Sequence, residues 1–140
     1  MSLYNVFSIA GTGMSAQSVR LNTTASNIAN ANTVSSSVDK TYRARQPVFA
    51  AELTQAAKEQ QGEAVGVSVK AIVESDKPLK VEYAPNHAMA DENGYIYKPN
   101  VNVMEEMANM ISASRTYQTN VQVADAAKQM LSKTIMMGQR

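Results

Sequence analysis

Hydrophobic positions recur at alternating steps of three and four over two long stretches, one near each end of the chain. The first series is Phe7, Ala10, Met14, Gln17, Leu21, Thr24 and Ile28, with Leu3 leading in. The second is Val103, Met107, Met110, Ser114, Tyr117, Val121, Ala124, Lys128, Leu131 and Ile135. Such steps place every member on one seam of a helix, the pattern of a coiled coil. The first series predicts a helix from Leu3 to about Ile28, roughly 40 Å long at about 1.5 Å per residue. It should stop between Asn30 and Thr33, where Asn, Thr and the following Ser35-Ser36-Ser37 favour caps and turns. The second predicts a helix from about Val101 to Met137, roughly 55 Å by the same rise.

Between the helices the period changes. Thr41 to Phe49 reads as extended, with Pro47 holding Gln46 out of the helical region. Ala50 to Gln61 reads as a short helix ending at Gly62. Val65, Val67, Val69, Ala71 and Val73 then alternate as a half-buried strand does, Ser75-Asp76-Lys77-Pro78 reads as a turn, and Leu79 to Tyr83 as the return strand of a hairpin. Tyr83 to Pro99 reads as a loop with turn signals at Ala84-Pro85-Asn86 and Asn93-Gly94.

The expected fold is therefore mainly α with a small β part. Residues 1–33 supply an N-terminal helix, 34–100 a middle segment, and 101–140 a C-terminal helix. A compact middle segment makes the two helices antiparallel neighbours in a coiled coil. The longer second helix leaves apolar surface uncovered. Six of the nine Met fall in it, Met104, Met107, Met110, Met130, Met136 and Met137, and their unbranched thioethers suit either a gap-filled core or contact between subunits. Gly11, Gly13, Ser15, Ala16 and Ala25 on one helix, with Ala108, Ser112, Ala113 and Ser114 on the other, let backbones approach closely. Asn22, Asn27, Asn30, Asn109 and Asn120 can hydrogen-bond across a helix interface without the desolvation cost of a charge.

Candidate chemistry changes this picture little. A net charge of +1 over 140 residues gives no field to steer the chain onto nucleic acid or an acidic membrane. Without Cys there is no disulfide, thiolate metal site or cysteine nucleophile. No apolar run reaches the roughly 20 residues that span a bilayer, and Met1 to Asn5 lack the features of a secretory signal peptide. Gly11-Thr12-Gly13-Met14-Ser15-Ala16 has the letters of a dinucleotide fingerprint but lies inside a helical repeat with no strand before it. His87 is the sole histidine, and Asp91-Glu92-Asn93-Gly94 reads as a polar turn. Glu105 and Glu106 suit the positive end of the second helix and point in different directions. No catalytic, cofactor-binding or metal-binding residue is expected, and no small-molecule substrate.

Leu21-Asn22-Thr23-Thr24-Ala25-Ser26-Asn27-Ile28-Ala29-Asn30-Ala31-Asn32-Thr33 resembles the N-terminal signature of the bacterial flagellar rod and hook axial proteins. The stretch from Pro99 to Met107 and that from Asn109 to Asn120 are similar to the C-terminal region of its proximal-rod members, which Thr41 to Arg45 and Asp91 to Tyr95 also fit. The likeness covers nearly the whole chain, and the small middle segment agrees with it, since hook and distal-rod members carry larger inserts. It implies a structural subunit of the proximal rod of the basal body, polymerising helically to transmit torque and to surround the export channel. Its implied partners are other rod proteins, copies of itself, components at the rod base, and the flagellar type III export apparatus. Export into the periplasmic space without a cleaved signal peptide is implied too, with Phe49 and Leu53 resembling an export-gate motif. A self-contained secreted coiled-coil adaptor and a wall-cutting hydrolase are the contrasting classes.

Overall fold

A computed structural model describes residues 3–52 and 65–138. Helix α1 spans Leu3–Asn30 and helix α2 spans Val103–Gly138. Among the described residues between them lie a 3-10 turn at Val38–Lys40 and four strands: β1 (Arg45–Glu52), β2 (Gly66–Glu74), β3 (Lys80–Tyr83) and β4 (Tyr95–Lys98). α1 ends where Asn30 C=O accepts both the backbone N–H and the hydroxyl of Thr33, at 3.1 and 2.8 Å. α2 starts at Asn102, whose side-chain oxygen accepts from Met104 N–H at 3.2 Å and whose carbonyl accepts from Glu106 N–H at 3.0 Å, an N-cap arrangement.

The helices pack against each other in opposite directions. Asn27 bonds to Glu106, Arg20 to Asn109, Gly13 lies beside Asn120, and Leu3, Tyr4 and Phe7 meet Ala127, Lys128 and Leu131. Positions rise along α1 as they fall along α2, the signature of an antiparallel pair. Leu131 already faces the first turn of α1, so Ser132 to Gly138 project beyond it.

Strand pairing differs from the hairpin expected between Val65–Val73 and Leu79–Tyr83. β2 pairs antiparallel with β1, from Arg45↔Glu74 to Glu52↔Gly66, and β3 pairs antiparallel with β4. The reason is backbone satisfaction: an eight-residue β1 can ladder with nine-residue β2, whereas four-residue β3 cannot. Asn100 reinforces the choice. Its amide donates to Ser75 O and Lys77 O at 3.2 and 2.8 Å, and its oxygen accepts from Ala44 N–H at 2.8 Å, which holds the 75–77 segment away from a tight return. β1 also takes in Ala50–Glu52, the start of the expected short helix, and the rest of that helix lies outside the described residues. β2 carries a bulge: Val48 faces Ala71 and Phe49 faces Val69, so Lys70 is the extra residue. The strand is not half-buried as its alternation suggested, because Val67, Ile72 and Val73 are all exposed.

The expected loop from Tyr83 to Pro99 contains β4 and a tight turn. Asp91 Oδ1 accepts from the N–H groups of Tyr95 and Asn93 at 2.8 and 2.9 Å, and Oδ2 accepts from Tyr97 hydroxyl at 3.2 Å. These donors, Tyr95 N–H first, hold the Asp91 carboxyl below its ordinary range, and the carboxylate in turn pushes the Tyr97 phenol up. Gly94 has φ +81°, and a Cβ there would lie 3.0 Å from the Tyr83 ring, so glycine is required on both counts.

Candidate assembly surface

A buried polar constellation is built around Asn27, which is 1 % exposed. Its Nδ2 donates to Arg45 O at 2.8 Å and to Glu106 Oε2 at 3.1 Å. Its Oδ1 accepts from Arg45 N–H at 2.9 Å and from Tyr42 hydroxyl at 2.8 Å. Two donors and two acceptors exhaust what an amide can offer. Toward Arg45 the side chain acts as a one-residue strand partner, taking the N–H and C=O that begin β1. Toward Glu106 it reaches the first turn of α2. One side chain thus ties α1, the middle segment and α2 at one end of the helix pair. Ser26 Oγ lies 3.3 Å from the same Tyr42 oxygen, and Arg45 also pairs with Glu74 at 3.3 Å. Among the described residues no cation forms an ion pair with Glu106, so the buried carboxylate depends on Asn27.

From this node the interface between helices runs along small residues. Ala10, Ala16, Thr23 and Thr24 are buried on α1, and Ala113, Ala124 and Ala127 on α2, with Ala113 fully so. Gly13 admits Asn120 so closely that a Cβ would lie 2.8 Å from its Nδ2. Arg20 donates to Asn109 Oδ1 at 2.9 Å. Farther along the pair, Thr12 hydroxyl accepts from Val67 N–H at 3.2 Å, and Gly66 permits that approach with only 2.8 Å to the Thr12 oxygen from where a Cβ would be. The β1–β2 ribbon is thereby attached to α1 at two points, Asn27 and Thr12.

The large apolar side chains are placed differently. Of the seam positions read from the pattern, Ala10, Thr24 and Ala124 are buried and Met14, Leu21, Ile28, Val103, Met110 and Val121 are half-buried. Phe7, Met107, Tyr117, Leu131 and Ile135 are exposed, Phe7 to 49 % and Met107 to 51 %. Met104, Ile111, Met130, Met136 and Met137 are exposed as well. On α2 the expected Ala124 is buried, while the other three buried positions fall one residue before the expected ones, at Glu106 and Ala113 for Met107 and Ser114, and at Ala127 for Lys128. Of the five Asn, Asn27, Asn109 and Asn120 reach the other helix. Asn30 Nδ2 instead donates to Ser26 O within α1, and Asn22 is exposed beside a cleft of about 410 Å³ shared with Arg45, Ile72 and Glu74. Phe49 is exposed on β1, and Leu53 lies outside the described residues. Sequence reasoning missed Glu106, Tyr42 and Asn100 as structural partners. The spacing of Glu106, Ala113, Asn120 and Ala127, seven apart throughout, was the available signal.

Comparison with known proteins gives this arrangement its context. Residues 7–34, which cover most of α1 and the turn after it, match the family described as flagella basal body rod protein. Residues 92–137, from the β4 turn through nearly all of α2, match the family described as flagellar basal body rod FlgEFG protein C-terminal. The chain is 45 % identical over 140 residues to the flagellar basal-body rod protein FlgC of Salmonella typhimurium, covering 99 % of this chain and all of that protein. Identity to FlgC of Escherichia coli O6:H1 is also 45 %, over 139 residues, again 99 % of this chain and all of that one. FlgC of Buchnera aphidicola from Baizongia pistaciae is 34 % identical over 141 residues with the same coverage. The chain belongs to the flagellar basal-body rod protein family. It is a structural subunit of the proximal rod, and its relatives are named for that structural role rather than for catalysis. Asn27 lies in the first matched region and Glu106 in the second, so the node joins the two parts that mark this rod protein as a family member. Among the described residues no helix is long and apolar enough to cross a membrane, and no three potential metal ligands cluster.

Proposed function

We propose that this rod subunit polymerises helically through the outer faces of its two terminal helices, which form an inner antiparallel coiled-coil layer around the export channel. The observation that carries this is the inversion along the helix pair. Its own interface closes on Ala, Gly, Thr and Asn, while Phe7, Met107, Ile111, Leu131 and Ile135 remain uncovered. Exposed apolar stripes of this length mark protein contact surfaces. A heterologous contact that does not close on itself generates a helical array, which a rod requires. Neighbours are other rod proteins, further copies of this chain and components at the rod base, with torque passing through their shared interfaces. The middle segment packs outside. Export to the periplasmic space proceeds through the flagellar type III apparatus without a cleaved signal peptide, with Phe49 and Leu53 meeting the export gate.

The test replaces Met107 and Ile111 together by Asp in a strain whose own copy of the gene is deleted. Both side chains are about half exposed, so the purified subunit should change stability by no more than about 0.5 kcal/mol. Swimming through soft agar should be lost, and normal swimming would sink the outer-face assignment. For the gate, Phe49→Ala should lower the amount of the chain exported by cells, and undiminished export would remove Phe49 from that role.

A further inference from the structure

Alanine packed on alanine does not select a register. Burial of apolar surface is non-directional, and sliding Ala10 and Ala16 by one heptad along Ala113, Ala124 and Ala127 keeps much of the apolar contact, although it breaks the Gly13–Asn120 fit and the Arg20–Asn109 bond. Such a slide moves α2 by about 10 Å at about 1.5 Å per residue. It also moves Asn27. One heptad in one direction brings Asn27 opposite Ala113, and in the other direction beyond the start of α2, near Pro99. The first shift carries Glu106 past the end of α1 and the second sets it opposite Arg20, which must then leave Asn109, so both forfeit the buried Asn27–Glu106 hydrogen bond.

We propose that the Asn27–Glu106 hydrogen bond is the register lock of the helix pair, and that it thereby fixes how far Ser132 to Gly138 project past α1. The lock stands on the geometry of the pair alone. Its consequence for neighbours rests on the assembly reading above, because the projecting segment carries exposed Ile135, Met136 and Met137. A polar pair in an otherwise permissive helix interface is the best-attested way in which a buried polar contact specifies one alignment over its competitors. Asn27 is well placed for that role because its other two hydrogen bonds to Arg45 hold α1 against the middle segment, so that α2 is registered against a fixed point.

The chain has no cysteine of its own, so paired cysteines report register cleanly. Gly13→Cys with Asn120→Cys reports the native alignment; Gly13→Cys with Ala113→Cys, or with Ala127→Cys, reports a shift of one heptad either way. In the purified full chain with Asn27 and Glu106 intact, oxidation should cross-link only the native pair, even though its two substitutions also remove the Gly13–Asn120 fit. Adding Asn27→Ala and Glu106→Ala should raise the shifted cross-links by about tenfold. A polarity exchange is the second arm. Asn27→Asp alone loses the donor to Glu106 and should raise the shifted products, and Glu106→Gln added to it returns a donor from the other side and should lower them again. Three results overturn the lock: no native cross-link in the chain with Asn27 and Glu106 intact, shifted products that stay at background in the double alanine variant, or an Asn27→Asp effect that Glu106→Gln does not relieve. If the double alanine variant loses every cross-link, the pair holds the fold rather than choosing its register, which also overturns it. None of these readings needs a rod. Swimming of the same variants, measured separately, tests the consequence for assembly.

Discussion

Asn27 and Asn22 lie five residues apart on α1 and make the sharpest paired comparison available. Asn27→Leu swaps an amide for an apolar group of similar shape at a site that is 1 % exposed. It strands the N–H and C=O of Arg45 and the Glu106 carboxylate; Tyr42 hydroxyl keeps Ser26 Oγ at 3.3 Å. The buried Glu106 carboxylate and the part-buried N–H and C=O of Arg45, left unpaired at about 2 kcal/mol each, total about 6 kcal/mol. Burying the new side chain returns about 2 kcal/mol, for a net loss of about 4 kcal/mol. In a chain of this size that lowers Tm by roughly 12 °C, at about 3 °C per kcal/mol. Asn22→Leu makes the same chemical change on an exposed face and should move stability by less than about 0.5 kcal/mol. Urea and thermal unfolding followed by circular dichroism would read both. Equal stabilities for the two variants would refute the claim that Asn27 joins three elements.

Ala113→Leu forces a large side chain into a fully buried position and should cost about 1–3 kcal/mol or separate the helices, whereas Ile111→Ala on the outer face should hardly change the unfolding midpoint. Gly94→Ala meets both a φ of +81° and the Tyr83 ring at 3.0 Å, so it should destabilise the β3–β4 turn by more than about 1 kcal/mol; an unchanged unfolding curve would contradict the turn geometry. That turn should also show two pH limits. Asp91 is held below its ordinary value, so its contribution is complete above about pH 4 and fades as pH falls further. Tyr97 is held above its ordinary value, so its contribution is complete below about pH 10 and fades as pH rises through its shifted value. NMR shifts of Ile96 against pH would show both limits, and Asp91→Ala should abolish the acid one. Amide exchange should be slowest around Asn27 and Glu106 and fastest at Leu3–Gly11 and Met130–Gly138; uniform protection along the helices would contradict a node at one end.

Both long helices were legible because a repeat of three and four over many turns has no competing interpretation, and their ends fell close to the expected Asn-rich boundaries. Which stripe lies inside was harder to read. The expected series followed the alternating steps of three and four from Val103, which run through Met107 and Ser114. The pair instead closes on Glu106 and Ala113, one position earlier, because small residues permit the close approach that Gly13 and Asn120 show. Strand pairing was illegible for a different reason. Choosing between two partners for β2 depends on contacts far apart in sequence, above all those of Asn100 with Ala44, Ser75 and Lys77, which no local propensity encodes. The β3–β4 turn was half visible: Asn93-Gly94 marked it, but one of the three bonds that make the Asp91 carboxylate its hub comes from Tyr97, beyond the turn itself.

The placement of polar and apolar groups along the pair suggests how stiffness is distributed. At the Asn27 end, three elements are joined by directional bonds that break abruptly when strained, since a hydrogen bond weakens steeply with distance and angle. At the other end, Leu3, Tyr4, Phe7 and Leu131 border an apolar notch of about 330 Å³, and α2 continues past it with Ser132 to Gly138 exposed among the described residues. Contacts among such side chains are non-directional and tolerate sliding, and the methionines clustered there adapt to whatever covers them. A subunit built this way carries one rigid end that fixes the angle between its helices and its middle segment, and one compliant end able to match neighbours that differ in sequence. For a subunit that assembles with other basal-body rod components, that asymmetry is mechanically useful. The rigid end keeps the geometry passed along the rod constant, while the compliant end absorbs the differences between partners.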